Sequence, residues 1–117
     1  MFDMFACSVI KYKLGKMDYK SKRWKKKRQI ILKLDGYKDV IAKRYGKNIE
    51  ATIVHHIYPA ELYPEYQFEN WNLISVSAKT HNTLHDRVTD ELTDEGLKLM
   101  KRTIPGKNWR EKQFKTV

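Results

Sequence analysis

The chain of 117 residues holds a single cysteine, Cys7. One thiol excludes an intrachain disulfide framework and any zinc site built from several cysteines, and it fits a reducing compartment. Long apolar runs are missing too. The opening MFDMFACSVIKYKLGK carries only a short apolar patch, and an acidic residue stands where a secretory leader would be positive. These absences lead us to expect a cytoplasmic, non-secreted chain with no membrane partner. There are no internal repeats, and the length suits one domain with one modest core rather than a catalytic domain plus a separate partner domain. Acidic residues are few beside basic ones, 14 against 24, for a formal charge of +10. That excess points to a polyanionic partner, although charge alone does not choose among DNA, RNA and an acidic membrane.

What is present falls into segments. Residues 1–18 read as a variable arm, partly helical. From Ser21, the text KRWKKKRQIILKLDGY predicts a helix capped by Ser21 and stopped near Gly36, with Trp24, Ile31 and Leu34 forming its apolar stripe. Lys22, Arg23, Lys25, Lys26, Lys27 and Arg28 cover the rest of it, as a solvated face or as a phosphate-binding one. Residues 36–50 read as a turn, a short apolar patch and a second turn at Gly46. IEATIVHHI alternates like a strand, YPAELYPEYQFEN with its two prolines must be a loop, and LISVS is a second strand. AKTHNTLHDRV then suits a helix capped by Ser77, and LTDEGLKLMKR another whose charges match the helix dipole. A basic tail follows, PGKNWREKQFKTV.

The four histidines are grouped: His55 and His56 adjacent, His81 and His85 four apart. Four apart on a helix, two side chains leave from one face, which makes a pair of metal ligands; the same pair also arises by chance in helices that bind nothing. Imidazole suits Zn, Ni, Co and Mn, and with phosphate oxygens supplying the rest Mg becomes possible. Neighbours on a strand point to opposite sides. One of His55 and His56 can therefore join a metal site while the other stays free as a base, the division of labour that phosphodiester hydrolysis needs.

HH, then an Asn followed by Leu, then two His four apart, resembles the HNH nucleases. NLISVSAKTHNTLH fits their second strand and helix without a gap, and YKSKRWKKKRQIILKLDGY resembles the basic helix that opens small bacteriophage HNH endonucleases. The resemblance covers roughly residues 19–88. It implies an α+β fold with a ββα-metal (His-Me finger) core, a basic N-terminal helix and, over 89–117, an additional C-terminal helix and basic tail. It implies that His56 is the general base, that His55, His81 and His85 hold one divalent ion (Mg, Mn, Ni, Co or Zn), and that Asn72 bonds across the interstrand loop to orient the base. Asn70 is a weaker candidate for that position, and Asn82 is read as a helix residue.

One departure is informative. Many phage relatives carry two Cys-x-x-Cys pairs that bind a structural zinc; here those positions fall on Asp39, Ala42, Ser77 and Thr80. No structural zinc is expected, and apolar packing by Val40, Ile41, Ala42, Leu73, Ile74 and Val76 is expected to hold that corner. The basic helix and the tail around Lys107, Arg110 and Lys112 are expected to grip DNA phosphates, with Lys79, Arg87 or Arg110 as candidates for electrophilic help. Tyr58, Tyr63, Tyr66 and Trp71 stack on bases or pack the loop, and packing is favoured because aromatics beside prolines commonly fill local core. The function expected from the resemblance is metal-dependent DNA hydrolysis, in phage packaging beside terminase or packaging proteins or in a homing or restriction role. The alternative is a metal-containing DNA-binding or packaging-partner module that does not cut.

Overall fold

A computed structural model describes residues 17–111. Most of the arm over 1–18, Cys7 and Lys112 lie outside the described residues. In chain order the elements are α1 (Lys22–Leu34), α2 (Val40–Arg44), β1 (Ile53–His56), two short 3-10 turns (Pro64–Tyr66 and Asn70–Asn72), β2 (Leu73–Val76), α3 (Ala78–Leu84) and α4 (Asp94–Arg102). This is the expected α+β architecture, a two-stranded hairpin followed by a helix, with a basic helix before it and a further helix after.

Helix α1 starts where expected, because the Ser21 side chain accepts the Trp24 N–H at 3.1 Å. It ends at Asp35, where Gly36 and Tyr37 both turn to positive φ. Its buried side chains are Trp24, Ile31 and Leu32, while Leu34, expected in the stripe, is open to solvent. Leu32 and Leu34 lie about 80° to either side of Trp24 on the helical wheel, and the hairpin packs on the Leu32 side. The apolar patch after Gly36 closes into a single helical turn, α2, because the Asp39 side chain caps it by accepting from Ala42 N.

Strands β1 and β2 pair antiparallel, with Ile53 opposite Val76 and His56 opposite Leu73. The first strand is shorter than its alternating text suggested; Ala51, just before it, bonds instead to the Tyr37 carbonyl. Period-two alternation divides the hairpin into two faces. Val54 and Leu73 pack under α1 with Trp24, Ile31 and Leu32; Ile57, Ile74 and Val76 pack with Val40, Leu84 and Leu99 on the other face. Both faces are covered, so the short strands are buried almost throughout.

Residues 73, 75 and 77 turn their backbone polar groups away from β1, and side chains meet all three. Ser75 N donates to Asp35 Oδ2 at 3.1 Å, Ser77 N to Asp39 Oδ2 at 2.9 Å, and the Leu73 carbonyl accepts from Arg110. Asp39 is fully buried, and Ser77 Oγ also donates to it at 2.8 Å. Thus the corner expected to rest on apolar packing does hold Val40, Ile74 and Val76, but Asp39, Ser77 and Thr80 knit it together through hydrogen bonds.

Helix α3 was expected to run through His85 to Val88 and stops at Leu84. Thr93 takes its last carbonyls, the side chain bonding to Thr83 O and the N–H to Leu84 O, and His85 continues in extended backbone to bridge Leu92. Helix α4 crosses this point on Gly96, where a Cβ would stand 2.4 Å from the Leu84 carbonyl oxygen. The described part of the tail folds back: Trp109 Nε1 donates to the Trp71 carbonyl at 2.8 Å.

Candidate active site

Alternation on β1 sends the adjacent histidines to opposite sides, as their spacing required. His55, 1% exposed, faces α3, and its ring centroid lies 5.4 Å from that of His81 and 4.9 Å from that of His85. One nitrogen from each of the three rings can be chosen so that all lie within 4.8 Å of one another; among the described residues this is the cluster able to hold a metal ion. The His81 and His85 rings stay 4.9 Å apart although the helix ends between them. The hairpin that follows makes up for the lost helical turn: His85 Nδ1 lies 3.1 Å from the Asp90 carbonyl, which can only accept, so Nδ1 carries the proton and Nε2 keeps its lone pair. Asp90 itself sits at φ 63, held by its N–H bond to the Asp86 carbonyl.

The three residues fit a cation. His85 Nε2 meets His55 Nδ1 at 3.2 Å, and His55 Nε2 is the buried side-chain polar atom with no hydrogen-bond partner among the described residues. Burial pushes the His55 imidazole well below its ordinary pKa, helped by His85, His81 and His56; burial also lowers His81, aided by His85 and opposed by Asp90. Neutral imidazoles with converging lone pairs are the form that binds a divalent ion.

His56 faces the other way, toward α1. Its Nε2 lies 3.0 Å from the Gln67 carbonyl, so Nε2 donates and Nδ1 remains the acceptor. Burial pushes its pKa down to about 4, against the pull of the Gln67 carbonyl and with a contribution from His85. The ring is therefore neutral at physiological pH. Fully buried Asn72 shapes the loop that presents Gln67: its Oδ1 accepts from Tyr58 N at 2.6 Å, and its Nδ2 donates to the carbonyls of Tyr58 and Tyr66, each at 3.1 Å. Asn70 is exposed and pairs with Lys27 instead. Tyr58, Tyr63, Tyr66 and Trp71 contact one another edge-on or stacked, the packing role favoured for them.

The basic residues divide. Lys22, Arg23, Lys25 and Lys26 are exposed along α1; Lys27 and Arg28 are half-buried, Arg28 donating to the Thr52 carbonyl. Arg110, expected to contact DNA, is 6% exposed and engaged inside: it grips Asp35 at 2.7 and 3.0 Å and donates to the carbonyls of Asn70 and Leu73. Four of the five N–H donors of the guanidinium are thus committed inside the fold. Two contributors escaped the sequence reading. Gln67 acts through its carbonyl, which carries no side-chain signal. Trp24, expected only in the core, stacks on His56 with centroids 4.9 Å apart and planes at 23°.

No family model matches the sequence, and no curated protein matches it at a significant level. Among solved structures, the crystal structure of a deep-sea thermophilic bacteriophage GVE2 HNH endonuclease with manganese ion is similar, at 25% identity and a TM-score of 0.54, over 69% of this chain and 84% of that one. The ββα arrangement, the convergent histidines and this likeness agree, and the chain resembles the HNH endonucleases in its fold.

Proposed function

We propose that the chain is a metal-dependent HNH endonuclease hydrolysing DNA phosphodiester bonds. The observation that carries this reading is the pairing of a convergent imidazole trio with a neighbouring neutral histidine hydrogen-bonded to a backbone carbonyl. Bound at His55, His81 and His85, one divalent ion would neutralise charge on the scissile phosphate and the departing 3′ oxygen. His56 does the proton work. Its Nε2–H stays on Gln67 O, and its Nδ1 takes a proton from water as the water oxygen bonds to phosphorus and the P–O3′ bond breaks. The products are a 5′-phosphate and a 3′ oxygen that solvent protonates. Asn72 keeps the loop, and so the Gln67 carbonyl, in place. The exposed cations of α1 hold the backbone with little base preference. The phage origin of the similar structure suits a role in phage DNA processing, packaging among them, with packaging proteins as partners.

The test is cleavage of supercoiled plasmid by metal-stripped protein, with Mg, Mn, Ni, Co or Zn returned singly and His56→Ala alongside. Metal-dependent nicking or linearisation that the variant loses is the expected result. Metal and DNA binding without cleavage under any ion would instead indicate a binding module.

A further inference from the structure

His56 is tethered at one edge by a single hydrogen bond, and one bond does not fix a ring plane, because the terminal torsion of a histidine is broad. Its face is covered by Trp24, and Tyr19 adds an edge contact to both rings at 6.1 Å from His56 and 5.6 Å from Trp24. Trp24 is 4% exposed, and its backbone is pinned by the Ser21 cap, itself held by bonds from Ser21 to the Asp18 carbonyl. The residues on either side of it, Arg23 and Lys25, are exposed.

The same helix reaches the other support of the ring. The Arg23 guanidinium lies 3.8 Å from the centre of the Phe68 ring, next in sequence to Gln67, and Lys27 pairs with Asn70. Helix α1 thus touches the histidine directly through Trp24 and braces the segment carrying its hydrogen-bond acceptor. We propose that Trp24 is a positioning residue for His56, so that the helix carrying the exposed cations also sets the plane of the base. This rests on the nuclease reading above.

The experiment compares Trp24→Leu and Trp24→Phe in the full chain, measuring kcat and KM for plasmid cleavage, DNA affinity, melting temperature, and the NMR shifts of the His56 ring protons. The stack predicts upfield His56 protons in the wild type that move downfield in Trp24→Leu and largely stay in Trp24→Phe. Misaiming a base by a fraction of an ångström to an ångström predicts a loss of kcat of up to about a hundredfold in Trp24→Leu, with KM and DNA affinity little changed. Trp24→Phe, which keeps an aromatic face, should retain most of kcat. In a His56→Ala background Trp24→Leu should cost nothing more, since there is no base left to aim.

Equal losses in the presence and absence of His56, a rise in KM with kcat unchanged, or unperturbed His56 shifts would each overturn the positioning role. Should Trp24→Leu fail to fold, the Trp24→Phe kinetics and the wild-type ring shifts decide it: a kcat as low as that of His56→Ala, or His56 protons at ordinary positions, refutes the role. Wild-type protein that cuts no DNA under any ion sinks the nuclease reading itself, whereas wild-type cutting matched by Trp24→Leu sinks only the inference about Trp24.

Discussion

Two polar clusters flank the hairpin, and they are finished to different degrees. Around Asp39 the donors are matched: one carboxylate accepts from Ala42 N, Ser77 N and Ser77 Oγ, and Thr80 closes the group through its bonds with Ser77. Around His55 the nitrogens of three rings converge, His55 Nδ1 and His85 Nε2 meet only each other, and the buried His55 Nε2 is left without a partner among the described residues. A buried polar group without a partner is costly, so a cluster that contributes to folding by itself closes its own bonds. The difference teaches which cluster belongs to the scaffold and which is poised for something from outside.

That contrast can be broken or sharpened by experiment. The largest effect is expected from His56→Ala, which should slow cleavage by roughly 10²- to 10⁴-fold, the usual weight of a general base, while metal binding measured by calorimetry persists. Normal cleavage by this variant would refute the assignment. His81→Ala and chelation by EDTA should both abolish cleavage, with helical circular dichroism preserved, because the Asp39 cluster and not an ion holds the fold; a large loss of helical signal on chelation would reverse the roles of the two clusters. Asp39→Ala is the mirror experiment. It strands Ser77 and Ala42 donors in a buried corner and should remove about 3 kcal/mol of stability in urea titrations, with metal affinity close to that of the wild type.

Acid should act through the same aspartate. Burial opposes its ionisation, but bonds from Thr80, Ala42 and Ser77 outweigh that and hold its pKa below the ordinary value. A depressed folded-state pKa means the stabilisation is complete above the unfolded value and is lost as pH falls through the folded one, so stability should decline below about pH 4. Asp39→Asn should flatten this part of the profile. The smallest effect is expected from Lys25→Ala, which should lower the salt dependence of DNA binding by about 0.9 in log–log slope if that lysine neutralises one phosphate. An unchanged slope would remove Lys25 from the DNA surface.

Much of the site could be read from the sequence because its key groups are side chains at fixed local spacings. Strand alternation separated His55 from His56, and the Asn72-Leu73 step marked the end of the loop. Caps at Ser21 and Ser77 were legible for the same reason, since a cap is a contact over three residues. What escaped depends on distance in space rather than in sequence. A helical wheel treats Leu32 and Leu34 alike until the hairpin chooses a side. Positive charge at Arg110 reads the same whether it meets a phosphate or Asp35, and these partners are 75 residues apart. His85 stayed in place by a route that spacing did not suggest, a hairpin through Asp90 in place of a second helical turn.

The side chains along the outer side of β2 have a consequence for how this chain meets other molecules. With Ser75 N, Ser77 N and Leu73 O already bonded to Asp35, Asp39 and Arg110, three of the polar groups an incoming strand would pair with on that margin are taken. A two-stranded ribbon is ordinarily open to recruitment, into a dimer or into an aggregate. Here, on the β2 side, an approaching chain would first have to displace the buried Arg110–Asp35 ion pair, which makes strand addition there costly.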